Sequence, residues 1–138
     1  MRNITRIILH CSASVEGVDL CAEDIRAMHC NPVSKGGRGW LFPGYHYVVR
    51  IEGAVERLLD EQLVANGVKG YNQHSIHVCY VGGLNKKGKP ANTLTPAQYA
   101  SIKQLLADLK KRYPQATLHG HNEFANKACP CFKVSELF

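Results

Sequence analysis

The chain has 138 residues, 45% of them hydrophobic and 20% charged, which supports one core of ordinary size and argues against two. Its longest apolar runs, such as Ile7-Ile8-Leu9, fall far short of the roughly 18 residues needed to cross a bilayer, so no transmembrane segment is expected. A net charge of +6 favours an anionic partner such as nucleic acid, a membrane surface or a bacterial wall, but the basic clusters Lys86-Lys87-Lys89 and Lys110-Lys111-Arg112 read as solvated faces and weaken the nucleic-acid reading.

The expectation is a single domain over residues 1–138, folded as a compact monomer. The N-terminal MRNITRIILHCSAS has too short an apolar stretch for a signal peptide, so synthesis in the cytoplasm is expected. Without an export signal, the six cysteines read as mostly reduced thiols, with at least one available for metal or catalysis.

In chain order, ITRIILHCS at 4–12 is rich in β-branched and apolar residues and reads as a core strand. Its alternation sets Ile8 and His10 on one face, with the histidine aimed out of the strand's end. AEDIRAMHC at 22–30 reads as a short helix stopped by Asn31-Pro32, and the glycine-rich VSKGGRGWLFPG that follows, carrying the single tryptophan, reads as a surface loop. Residues 45–59, YHYVVRIEGAVERLL, read as a β-hairpin turning at Glu52-Gly53; His46 then faces away from Tyr45 and reads as structural. SIHVCYVGG at 75–83 is a second core strand, followed by the turn NKKGKPAN.

The clearest element is the helix predicted over 96–112. Thr95 stands at the N-cap, Pro96 at the first helical position and Gln98 three after the cap, and Tyr99, Ile102, Leu106, Leu109 and Tyr113 recur on one face until Pro114. ATLHGH reads as a short strand and KVSELF as a closing helix. The sum is an α/β fold with a central mixed β-sheet flanked by helices.

Chemistry concentrates in HGHNEFANKACPCF, residues 119–132. A closed structural metal site would use His119, His121, Cys129 and Cys131, although this is not a common finger spacing. An open catalytic site would take three ligands from separate parts of the chain, with His10 as the distant partner. Residue types and spacing leave both readings open, beside the plainer one in which His10 is a hydrogen-bonded core histidine and Cys129 a buried apolar thiol.

His10 in IILHCSAS, Tyr45 in GYHYVV, the segments GYN and SIHVCYVGG, TPAQ at 95–98, and His121, Lys127 and Cys129 in HNEFANKACPCF together resemble the zinc-dependent N-acetylmuramoyl-L-alanine amidases. The likeness is closest to phage lysozymes that are amidases, is shared with peptidoglycan recognition proteins, and runs from about residue 4 to the C-terminus. It implies an amidase-like fold, peptidoglycan as the partner, and one Zn2+ held by His10, His121 and Cys129. It also implies that Tyr45 and Lys127 stabilise the oxyanion of amide hydrolysis. The loop with Arg38, Trp40 and Phe42 is a candidate groove wall, since aromatic faces pack on sugar rings and arginine pairs with carboxylates.

The chain departs from the family pattern at three positions. Gly67 stands where many relatives have a histidine shortly before GYN, which makes His74 a candidate to compensate as a substrate contact. His77 interrupts SIHV where relatives usually have glycine, leaving open whether it points into the core or the cleft. Cys131 is an extra thiol that could compete for the metal or oxidise with Cys129. The expected function is hydrolysis of the amide between N-acetylmuramic acid and L-alanine, with a non-catalytic recognition module as the alternative. A small basic zinc protein binding nucleic acid or another protein through the four local ligands is a third reading. Action on the wall is expected after release through a pore or secretion system.

Overall fold

A computed structural model describes residues 2–138. The strands are β1 (Arg6–Cys11), β2 (Ser14–Val15), β3 (Tyr47–Val49), β4 (Val55–Arg57), β5 (Ser75–Tyr80), β6 (Gly83–Leu84) and β7 (Thr117–Gly120); the α-helices are α1 (Ala22–Cys30), α2 (Pro96–Arg112) and α3 (Val134–Leu137). Five strands form one sheet in the order β4-β3-β5-β1-β7, and β2 pairs with β6 in a separate two-stranded sheet. Only the β3–β4 pair of the larger sheet is antiparallel, so the sheet is mixed and flanked by helices, as the alternation of elements predicts.

Every residue of β5 is buried, which is what an interior parallel strand covered on both faces requires. On one face Ile7, Leu9, Ile76 and Val78 pack with Ile102, Leu105, Leu106 and Leu109 of α2. On the other, Val48 and Cys79 meet Ile25 of α1 and Leu58. The register Ile8↔His77 and His10↔Cys79 puts His10 and His77 on this second face.

The ends of α2 coincide with the predicted 96–112. Thr95 Oγ1 accepts from the Gln98 amide at 3.0 Å while Gln98 Oε1 accepts from the Thr95 amide at 3.0 Å, closing a capping box. Gln98 is also fully buried, and its Nε2 donates to Val49 O at 3.2 Å and Val81 O at 2.9 Å, tying the helix start to the ends of β3 and β5. Gln98→Leu keeps the bulk but leaves Val81 O buried without a donor, a loss worth about 1–3 kcal/mol, while Val49 O still accepts from the Val81 amide. Thermal or urea denaturation should show a loss of that order.

Other predicted boundaries shorten. The hairpin keeps only three residues per strand because Arg50–Ala54 are spent on its turn, where Gly53 has φ +95° and its carbonyl accepts from Ser101 Oγ at 2.6 Å. The strand expected over 75–83 divides at Gly82 and Gly83, whose φ of 141° and 101° turn the chain into β6. His46 is buried and structural in its contacts, with Nδ1 accepting the His77 amide at 3.0 Å and Nε2 2.8 Å from Leu63 O.

Candidate metal centre

Parallel strands open a crevice at their carboxyl ends, and here the ends of β1 and β7 bring distant residues together. Leu9 pairs with Gly120, so His10 at the end of β1 lies beside His121, the first residue past β7. Their Nδ1 atoms are 3.2 Å apart. The segment carrying Cys129 is fastened underneath: Tyr80 Oη donates to Pro130 O at 2.7 Å, Asn122 Nδ2 to Phe132 O at 3.1 Å, and the Cys11 amide to Cys129 Sγ at 3.1 Å. Cys129 Sγ is thereby 4.0 Å from His10 Nδ1, and the three donor atoms all lie within 4.8 Å of one another.

The donor set fits zinc. A tetrahedral ion with bonds of about 2.0 Å to nitrogen and 2.3 Å to sulfur separates its ligand atoms by roughly 3.3 to 3.6 Å. Three donors of this kind leave the fourth position open, as in a catalytic rather than a structural site. Burial, then the neighbouring imidazoles, hold the His10 pKa well below its ordinary value; burial, then Lys127, lower that of His121. Both rings are therefore neutral near pH 7, the form that ligates metal.

His119 and Cys131 take no part in this cluster. His119 Nδ1 pairs with Glu123 Oε1 at 2.8 Å and its Nε2 lies 2.6 Å from Thr117 Oγ1. Cys131 Sγ approaches Gly83 O at 3.3 Å and Cys11 Sγ at 3.9 Å; burial and the Cys11 thiol push its pKa up to about 12. All six cysteines are free thiols.

Above the cluster lies a cleft with lobes of about 100 and 400 Å³ that share His29, Arg38, Tyr45, His121 and Lys127. The Tyr45 ring lies tilted 5.0 Å from His10 and edge-on 5.2 Å from His29, and its hydroxyl donates to Cys11 O at 3.4 Å. Burial, then the nearby thiols, raise the Tyr45 pKa well above its usual value, so the hydroxyl stays a donor. Lys127 borders both lobes, its side chain exposed and without a carboxylate partner among the described residues.

The Arg38 guanidinium lies 5.0 Å over the Trp40 ring, which is itself 5.1 Å from His29; both residues line the cleft. Their loop folds back on α1 through the Arg38 amide to Met28 O at 3.2 Å and the Trp40 amide to His29 O at 3.0 Å. Trp40 therefore packs against His29 and Arg38 while it lines the groove. An apolar groove of about 380 Å³ between α2 and the C-terminus, lined by Tyr99, Leu106 and Phe138, offers no metal-ligating side chain.

His74 is a correction. It precedes β5, and because β5 runs parallel to β1 it sits at the Arg6 end of the sheet, about 16 Å from the register of His10 at ~3.3 Å per residue. Its Nδ1 lies 2.8 Å from Asn3 O, away from the cleft. Three residues that sequence reasoning missed or left open are close to the chemistry. His29 has Nδ1 accepting the Gly44 amide at 2.9 Å, and burial, then Arg38, lower its pKa to about 4. Asn66 lines the smaller lobe, and His77 Nδ1 is 2.8 Å from His10 Nε2. The signal for His77 was its interruption of an otherwise apolar strand; for His29 and Asn66 the sequence carries none.

A family model described as N-acetylmuramoyl-L-alanine amidase matches residues 1–132. The chain is 42% identical over 128 residues to the endolysin of Escherichia phage T7, covering 93% of this chain and 81% of the relative. It is 41% identical over 130 residues to the endolysin of Klebsiella phage KP32, covering 94% and 82%. Among solved structures, the Ph2119 endolysin from the Thermus scotoductus MAT2119 bacteriophage Ph2119 superposes with a TM-score of 0.80 at 28% identity, covering 99% of this chain and 84% of that one.

Proposed function

The chain belongs to the N-acetylmuramoyl-L-alanine amidase family and is a peptidoglycan amidase, and from that premise we propose a zinc enzyme in which His10, His121 and Cys129 hold one Zn2+ while Tyr45 and Lys127 act on the substrate. The observation that carries the reading is the convergence of three neutral-nitrogen and sulfur donors within 4.8 Å of one another on the floor of the cleft. Zinc bound there supplies Lewis acidity, polarising the scissile carbonyl and acidifying a water toward neutrality.

The remaining steps belong to the chain's own side chains. As water adds to the carbonyl between the lactyl group and L-alanine, negative charge grows on the carbonyl oxygen, and donors already aimed at that point lower the barrier. Lys127, free of any carboxylate among the described residues, brings its ammonium to that oxygen, and the Tyr45 hydroxyl, lining the same cleft, is the second donor. When the C–N bond breaks, the L-alanine nitrogen takes the proton given up by the attacking water and leaves as the free amine, and the water oxygen stays on the lactyl group as part of its new carboxyl. Trp40 offers an aromatic surface to the sugar, and Arg38 pairs with a stem-peptide carboxylate.

The enzyme acts as a monomer at the bacterial wall, reached through a pore or a secretion system. Its net charge of +6 suits the anionic wall, and among the described residues no helix is long and apolar enough to cross a membrane. Metal analysis of the purified protein tests the site. Zinc is expected at about one per chain, lost in His10→Ala and retained in His119→Ala and Cys131→Ala. Zinc that survives His10→Ala but not His119→Ala would instead favour a site confined to residues 119–131.

A further inference from the structure

Strand β5 is buried along its whole length, yet its third residue is a histidine. An imidazole in such a place costs free energy unless its nitrogens are engaged, and an apolar residue of similar size would avoid that cost. His77 Nδ1 lies 2.8 Å from His10 Nε2, but His77 Nε2 is buried with no hydrogen-bond partner among the described residues. One half of the ring is engaged and the other half is unsatisfied, so the engaged half needs an explanation beyond packing.

The neighbours hold this ring in place. The His77 amide donates to His46 Nδ1 at 3.0 Å and the His77 carbonyl accepts from the His46 amide at 2.9 Å, so His46 grips the backbone of His77 on both sides. The two rings stack with centroids 6.0 Å apart and planes 6° from parallel. Across the pocket stands Gly67, where an added Cβ would come within 2.2 Å of His77 Nδ1, 2.5 Å of Cε1 and 2.6 Å of Cγ. The ring of His77 fills the volume that any side chain at position 67 would need.

The hydrogen bond has a direction if His10 is a ligand through Nδ1. A ligating Nδ1 carries a lone pair, so the ring proton sits on Nε2 and is donated to His77 Nδ1, which leaves the His77 proton on the unsatisfied Nε2. We infer that His77 is a positioning residue of the metal centre: by accepting the His10 Nε2 proton it holds the His10 Nδ1 lone pair toward His121 and Cys129, and the absent side chain at Gly67 is what admits it. The inference rests on the reading of His10 as a zinc ligand. Partners of this kind fix the tautomer and orientation of ligating histidines, and their loss typically weakens metal binding by about 10- to 100-fold.

The test measures zinc affinity by competition with a colorimetric chelator in the wild type, His10→Ala, His77→Leu, His77→Asn and Gly67→Ala, with circular dichroism verifying the fold of each. His77→Leu is expected to weaken zinc binding by about 10- to 100-fold with little change in thermal stability, because one unsatisfied buried nitrogen, His77 Nε2, is exchanged for another, His10 Nε2. His77→Asn, whose Oδ1 stands near the position of Nδ1, should restore affinity to within a few-fold of wild type. Gly67→Ala reaches the same point from the other side, pushing the intact ring off His10 and weakening zinc binding in the same direction, so the idea stays testable even if His77→Leu fails to fold. Nitrogen-15 spectra of the zinc-loaded wild type should show His10 protonated on Nε2. If His10→Ala abolishes zinc binding while His77→Leu and Gly67→Ala leave it unchanged, His77 is merely core and the inference falls alone. If the wild type binds no zinc, or His10→Ala binds it normally, the metal-site reading falls and takes the inference with it.

Discussion

Cys129→Ala should leave a folded protein with no zinc and with amidase activity reduced by a factor on the order of 10⁴ or more. The sulfur is the one anionic ligand of the proposed set, and two neutral imidazoles on their own make a weak site. Losing a metal that lowers the pKa of water from about 15.7 to about 7 and polarises the carbonyl removes several kcal/mol of transition-state stabilisation, and each ~1.4 kcal/mol is tenfold in rate. The fold has reason to survive: Cys129 only borders the main core, and the loop keeps its anchors at Tyr80–Pro130 and Asn122–Phe132. Circular dichroism, metal content and release of peptide from purified walls read the three quantities separately. A Cys129→Ala protein with near-normal activity would remove this residue from the site.

Lys127→Ala is expected to cut kcat by about 100- to 1000-fold while zinc content and KM stay close to wild type. That is the usual size of losing one donor aimed at an oxyanion, and a group that acts only in the transition state lowers kcat and kcat/KM together. The side chain is exposed, so its removal opens no core cavity and stability should be almost unchanged. Lys127→Arg keeps the charge but spreads it over a planar fork, and a partial recovery is expected. A rise in KM with kcat intact would instead assign Lys127 to ground-state binding of the peptide. These losses differ in kind from that of Gln98→Leu, which acts on stability and leaves the cleft alone.

The sequence was most legible where local rules and tertiary structure agree. Thr95, Pro96 and Gln98 predict the start of α2, and Pro114 its end, because a capping box and a proline act within four residues and need no knowledge of the rest of the chain. That Gln98 also bridges β3 and β5 was invisible, since a side chain's second partner lies 49 and 17 positions away in sequence. Alternation along β1 pointed His10 out of the strand end on the face of Ile8, and the register with β5 agrees. The same alternation could not say what lay opposite, so His77 stayed open between core and cleft.

The choice among the four groups of residues 119–131 was likewise beyond spacing. His-x-His and Cys-x-Cys pairs look equivalent as strings, and only the likeness to a family separated them. The physical difference lies in neighbours: His119 has Glu123 four residues on as a partner, whereas His121 is carried past the end of β7 toward His10. His74 was misjudged because proximity to GYN in sequence says nothing about strand direction. Once β5 is parallel to β1, a residue ahead of Ser75 lies at the wrong end of the sheet.

The most direct test of the central claim is mass spectrometry of purified peptidoglycan after incubation with the protein, with and without added zinc, beside Cys129→Ala. Zinc-dependent release of free stem peptides beginning at L-alanine, absent in the variant, is the predicted result. Peptidoglycan that is bound but releases no such peptide under any zinc condition would contradict it and mark the chain as a recognition module.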